Sequence, residues 1–165
     1  MSRAAAIRAF AVRSVAALVL AAAALPAAAR CVPDRFPAGW LEEQEDAGGH
    51  TLERHVGKDD RFLLDRLARQ PNIAAASTFD DRRTAERVIA AALSANRRRL
   101  DDWARRPGTA PGQTQAVRHT AEEPVGRIAR RPAGPRNIEP GRRIVAVMRK
   151  TADGGCLLLT AYPTE

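Results

Sequence analysis

Between Gly48 and Leu67 the chain reads GGHTLERHVGKDDRFLLDRL, and this stretch holds two histidines, a lysine and several arginines. An unperturbed imidazole titrates at about 6.5, so His50 and His55 can each serve as general base or general acid near neutral pH. Arg54 and Arg66 offer planar forks that match phosphoryl oxygens, and Lys58 offers a point charge. If Thr51 caps a short helix, His50 stays at its mouth while Arg54, His55 and Lys58 lie a turn or less apart. That arrangement suits a phosphate. It does not suit zinc, because the metalloprotease helix needs Glu directly after its first His and this chain has Thr51 there. A five-residue step also splays His50 and His55 by about 140 degrees on an ideal helix, so no shared metal is expected. The competing interpretation is a solvated basic helix with two ordinary histidines.

A second group of reactive side chains lies at the far end, in LTAYPT. Period-2 alternation puts Thr160 and Tyr162 on one face of a strand, where both hydroxyls can reach one pocket. Their plain alternative is an edge pair at a chain end. His119, the remaining histidine, falls in a region without a motif and is expected to be a strand surface residue.

Elements must hold these groups together. Residues 1–29 have the pattern of an export signal: Arg3, Arg8 and Arg13 without acids, an apolar run from Val15 to Leu25, then Pro26 and the small residues Ala27 and Ala29. Cleavage is expected after Ala29. Lipidation at Cys31 is disfavoured because bulky Arg30 precedes it, and the apolar run is shorter than the roughly 20 residues of a membrane-spanning helix. Removing three of the 27 basic residues leaves 24 against 19 acidic ones, a net charge of +5. About 136 residues remain, enough for one domain, residues 30–165, with a core of its own. The positive balance fits a polyanion ligand or an anionic surface without requiring either. In an oxidising destination, Cys31 and Cys156 are expected to form a disulfide that ties the two ends of the mature chain.

Helices come first and strands last. Trp40–Asp46 and Asp60–Arg69 have helical patterning, the latter with Phe62, Leu63 and Leu67 on its apolar side and Pro71 as a stop. Ile73–Phe79 is extended. Asp80 or Asp81 then caps a helix whose apolar positions, Ala85 through Trp103, keep three-and-four spacing over more than five turns. After the Pro- and Gly-rich connection Arg106–Gln113, strands are expected at 116–120, 125–130 and 143–149. Asp153, Gly154 and Gly155 join the last of these to 156–162 as a hairpin. The fold class is α+β, with N-terminal helices packed on a C-terminal antiparallel sheet.

GGHTLERHVGK, the RL at Arg66 and Leu67, ASTFDD with TAE at Thr84–Glu86, Trp103 and the terminal LTAYPT keep an order and spacing that no single piece carries. Together they resemble the bacterial RNase A-like toxin domain at the C-terminus of contact-dependent growth inhibition proteins, over about residues 48–164. The resemblance implies a two-lobed RNase A-like fold and metal-independent RNA cleavage by 2′-hydroxyl attack, with no cofactor. It matches the family's catalytic His to His55, its active-site Arg to Arg66 eleven residues on, and its Thr-x-Tyr pair to Thr160 and Tyr162. His50 and Lys58 are expected to contact substrate, and the second proton carrier is left among His50, Tyr162 and His119. The expected partners are an RNA substrate, tRNA among the candidates, and an immunity protein, with the domain a monomer free of the membrane. An export signal on a short chain, and the paired cysteines, depart from toxins carried on very large delivery proteins and point to a periplasmic or secreted protein. The alternative function is a catalytically idle domain that binds polyanions or a protein through the same basic cleft.

Overall fold

The computed structural model describes residues 30–165, so the expected signal segment lies outside the described residues. Three short helices come first: α1 (Trp40–Asp46), α2 (Thr51–His55) and α3 (Asp60–Arg69). Then follow β1 (Ala75–Phe79), α4 (Arg82–Ala95), α5 (Arg97–Arg105), β2 (Thr114–Thr120), β3 (Gly126–Arg130), β4 (Ile138–Gly141), β5 (Arg143–Lys150) and β6 (Cys156–Thr164). This is an α+β fold, as expected. The caps are local: the Asp59 carboxylate accepts from the amide of Phe62, and that of Asp81 from the amide of Thr84, each at 2.7 Å.

Three details differ from the sequence reading. The single sheet is two three-stranded antiparallel sheets, ordered β1-β3-β4 and β2-β5-β6. Strand β4 follows a Pro-rich stretch, has only four residues, one of them Pro140, and pairs with β3 from an edge, where a missing amide is tolerated. The long helix also breaks at Asn96. Its carboxamide donates to the carbonyls of Ala92 (2.9 Å) and Arg118 (3.3 Å), so the side chain competes with the helical ladder and α5 starts afresh. The apolar spacing survives the break because Leu100 and Trp103 still face the core made with Val88, Ile89 and Leu93.

That core joins α4 and α5 to one face of the β2-β5-β6 sheet, through Val117, Ile144, Ala146, Met148, Leu158 and Ala161. A smaller core, Leu63, Leu67, Ala76 and Ala129, joins α3 to the β1-β3-β4 sheet. The beginning of the described chain is fastened to the larger half. Asp101 accepts from the amides of Cys31 (2.9 Å) and Val32 (3.4 Å), Arg97 donates to the carbonyls of Val32 and Pro33, and Cys31 is disulfide-bonded to Cys156.

Candidate active site

Helix α2 is only five residues long, so neighbours must hold it. Thr51 does not cap it, contrary to expectation. His50 occupies the cap position without a side-chain hydrogen bond, and the first free amides, of Leu52 and Glu53, donate to the Glu45 carboxylate of α1 at 3.0 and 2.8 Å. Thr51 is buried, and its hydroxyl accepts from the amide of Ala161 on β6 at 2.9 Å. The turn before α2 is pressed against the same strand: His50 donates its amide to the Leu159 carbonyl at 3.0 Å. A side chain at Gly49 would begin 2.7 Å from two carbonyl oxygens, of Gln44 and Leu158, so this approach requires glycine. Helix α2 is therefore positioned by β6, more than a hundred residues away.

His55 ends that helix and is 7% exposed. Its Nδ1 lies 2.9 Å from the carbonyl oxygen of Ser77 on β1. A carbonyl can only accept, so Nδ1 carries the proton and Nε2 keeps its lone pair. Burial is the main cause that pushes the imidazole down to about 4; the Ser77 bond opposes the shift, and Arg66, His50 and Arg54 add to it. At neutral pH His55 is an uncharged base of fixed tautomer. Its ring stands 5.3 Å, centroid to centroid, from that of Tyr162.

Tyr162 and Thr160 reach this place through an irregularity in β6. Met148 pairs with Leu158, but the next residue back, Val147, pairs with Thr160, leaving Leu159 as an extra residue. Without that bulge Thr160 would share the core-facing side of Leu158. With it, Ala161 takes the core side, and Thr160 and Tyr162 face away from α4. The expectation that both hydroxyls share a face holds, and the bulge decides which face. Thr160 is 9% exposed and its hydroxyl has no hydrogen-bond partner among the described residues. His119 goes the other way. It pairs with Ile144, on the core side of the sheet, and borders a surface cavity with Arg87 and Val88 of α4. Cross-strand partners share a face, so His119 stands on the opposite side from Thr160 and Tyr162.

Between α2 and α3 opens a cavity of about 420 Å³ lined by Glu53, Arg54, Phe62, Arg66, Arg69 and Gln70. Three guanidinium groups face one carboxylate there. Arg66 is pulled below its ordinary range by burial and then by the charge of Arg54. Its Nε donates to Gln70 at 3.4 Å, whereas Nη1 is buried without a partner. His50 is also lowered, by burial first and by Arg54 second, with Glu45 and Glu53 opposing. Burial and the nearby charge of Arg54 disfavour the charged forms of Arg66 and His50, and an anion in this cleft would offset both. Lys58 is less closely involved than expected: its ammonium lies over the Phe62 ring, 5.4 Å from the centroid, at the rim of the cavity. Arg54 is the contributor that the sequence reading undervalued. Its position one residue before His55 and twelve before Arg66 was the available signal.

Helices over two antiparallel sheets, with the base-like His55 between them, define an RNase A-like domain. The family described as the bacterial CdiA-CT RNAse A domain matches residues 49–163, and the chain belongs to that family. It is also similar to the solved structure titled as a CdiA-CT/CdiI complex from Y. kristensenii 33638. The TM-score is 0.60 at 28% sequence identity, over 71% of this chain and all of that one. No curated protein matches.

Proposed function

We propose that this protein is an exported endoribonuclease that cleaves RNA by attack of the 2′-hydroxyl on the adjacent phosphodiester, using only its own side chains. The observation that carries the proposal is the buried, neutral His55, with Nδ1 tied to Ser77, Nε2 without a partner among the described residues, and the ring close to that of Tyr162. Nε2 accepts the 2′-hydroxyl proton as the 2′-oxygen bonds to phosphorus. Charge growing on the phosphoryl oxygens meets Arg66 Nη1 and the Thr160 hydroxyl, both buried donors with no partner among the described residues. The bond from phosphorus to the 5′-oxygen breaks, and Tyr162 supplies the proton to the leaving oxygen, giving a 2′,3′-cyclic phosphate and a 5′-hydroxyl end. His50 is a poor proton donor at neutral pH because its pKa is lowered, and it shapes the mouth of the cleft with Arg54. Lys58 contributes charge at the rim.

The mature protein in this proposal is a single monomeric domain, residues 30–165, released by cleavage after Ala29 into the periplasm or medium. The Cys31–Cys156 disulfide supports an oxidising destination. The similar structure is a complex, which supports a protein partner, and the family resemblance makes that partner an immunity protein. Incubating the purified mature protein with mixed RNA in EDTA tests the central claim. Cyclic-phosphate products in EDTA are expected. Intact RNA with or without divalent ions would leave a polyanion-binding domain in place of an enzyme.

A further inference from the structure

The face of the larger sheet that holds Thr160 and Tyr162 continues beyond them, and its makeup is unlike that of the core side. Register places four cross-strand rows on this face: Thr120–Arg143–Thr164, Arg118–Val145–Tyr162, Ala116–Val147–Thr160 and Thr114–Arg149–Leu157. Three of these positions are arginine and none is acidic. Thr114, Ala116, Arg118, Thr120 and Arg143 are exposed, so nothing in the described chain covers this end of the face. Arg149 is half-buried yet makes no hydrogen bond or ion pair among the described residues. Its guanidinium lies where a side chain at Gly48 would begin, 3.3 Å from that Cβ position, beside the turn that leads into His50. With no acceptor among the described residues, the Arg149 guanidinium has all its donors available to an external anion.

We propose that this sheet face binds the backbone phosphates of single-stranded RNA on both sides of the cleaved bond, with Arg149 on one side and Arg118 and Arg143 on the other. The proposal rests on the ribonuclease reading, since it takes the Thr160 and Tyr162 rows as the position of the reacting phosphate. Alternate residues on a strand are about 7 Å apart, so Arg149 stands one such step from the Thr160 row and Arg143 one step from the Tyr162 row, in the opposite direction. Arg118 shares the Tyr162 row two strands away, about 10 Å across the sheet. These separations match successive phosphates of an extended strand within the reach of an arginine. Val147, half-buried between them, offers an apolar contact to a sugar or base. Glu165 borders a cavity with Arg143 and is engaged by Arg130. The enzyme then recognises several nucleotides rather than a single phosphodiester.

Equilibrium binding of a fully 2′-O-methylated RNA octamer tests the track without depending on catalysis, because that probe has no 2′-hydroxyl to react. Each of Arg149→Gln and the pair Arg118→Gln with Arg143→Gln should weaken octamer binding by about tenfold at low salt. The slope of log affinity against log salt should shrink by about 0.7 for each arginine removed. Arg98→Gln, at an exposed position of α5, should change neither quantity, and a 2′-O-methylated dinucleotide should bind all four proteins equally. The track is overturned if the wild type does not hold the octamer at low salt, if the Arg98 variant loses as much as the others, or if the salt slope is unchanged. Competition by polyglutamate of equal charge as effective as by RNA would likewise overturn the assignment to nucleic acid. Absence of RNA cleavage in EDTA, with these binding losses intact, would remove the enzyme reading and leave the track.

Discussion

The two halves of the molecule are held together by different forces. The larger, β2-β5-β6 with α4 and α5, surrounds a wide apolar core that includes Phe79, Ile89, Leu93, Leu100, Met148 and Leu158, and is closed by the disulfide. The smaller, β1-β3-β4 with α3, has a compact core of Leu63, Leu67, Ala76 and Ala129 and relies on arginines that reach backbone carbonyls. Arg131 donates to Leu67, Gln70 and Ile73, while Arg127 donates to Lys58 and pairs with Asp60. His55 stands where they meet, bonded to Ser77 of the smaller sheet and stacked near Tyr162 of the larger. Arg66 comes from the smaller half, Thr160 from the larger. The proposed ribonuclease site is complete only while the smaller half stays docked, because its residues come from both halves.

The largest effect should come from the disulfide. It closes a loop of 125 residues, and the chain-entropy model gives about 4–5 kcal/mol for a loop of that length. Replacing Cys31 and Cys156 with serine should lower the urea unfolding free energy by about that amount, with specific activity retained by the fraction that remains folded. If activity per folded molecule collapses instead, the larger half is positioning the site through this link and not merely supporting it.

Leu67→Ala should come next. It removes a fully buried side chain from the small core, a change that costs about 2–5 kcal/mol elsewhere. Because Arg66 precedes it on α3, activity should disappear at a lower urea concentration than the fluorescence change of Trp103, which sits in the larger core. Coincident midpoints would mean that the halves unfold as one, and the contrast between them would fail.

His55→Ala should lower the cleavage rate by about a hundredfold or more, equivalent to about 2.7 kcal/mol, while His50→Ala loses less. A fully active His55→Ala protein would remove the mechanism. The acid limb of the wild-type rate profile should fall near pH 4 and not near 6.5, because only neutral His55 can accept the proton. The same shift bears on stability. Between about pH 6.5 and 4 the unfolded chain takes up a proton that the folded His55 refuses, so stability falls as pH drops through that window, by about 3 kcal/mol in total. His55→Gln, followed by urea titration at pH 8 and pH 4.5, should remove most of this dependence.

Much of this contrast was legible in the sequence, and the gaps have physical reasons. Apolar spacing along 85–103 announced the helical side of the larger core, and the redox context of two widely spaced cysteines announced their pairing. His55 and Arg66 stood out as reactive types, and the family resemblance singled them out as a pair. What could not be seen was contributed by backbone or by distant pairing. Ser77 acts through its carbonyl, which any residue possesses. Leu159 becomes a bulge because β5 and β6 shift register, and nothing in the run of three leucines marks it. Arg149 looked like the end of a strand. Its place beside Gly48 follows only after that bulge has set which face of the sheet meets α2. The break at Asn96 went unseen because the apolar pattern runs uninterrupted on both sides of it.

Thr160 should produce the smallest effect and the most discriminating one. Its hydroxyl is buried on the larger half, at the face opposite α4, and has no partner among the described residues. Burying an unsatisfied hydroxyl costs about 1–3 kcal/mol in mutational data, and valine has nearly the same shape without the polar atom. If that hydroxyl serves only the fold, Thr160→Val should be neutral or stabilising with full activity. If it donates to the phosphoryl oxygens, the same substitution should raise the urea midpoint slightly, by about 1 kcal/mol, while the cleavage rate falls about tenfold at unchanged KM. We expect the second outcome. Thr160→Ser separates the hydroxyl from the methyl, since it keeps the donor and should recover most of the rate. A valine variant that is less stable as well as less active would show that Thr160 packs the sheet, and the division of labour between the rigid half and the charged half would lose its clearest residue.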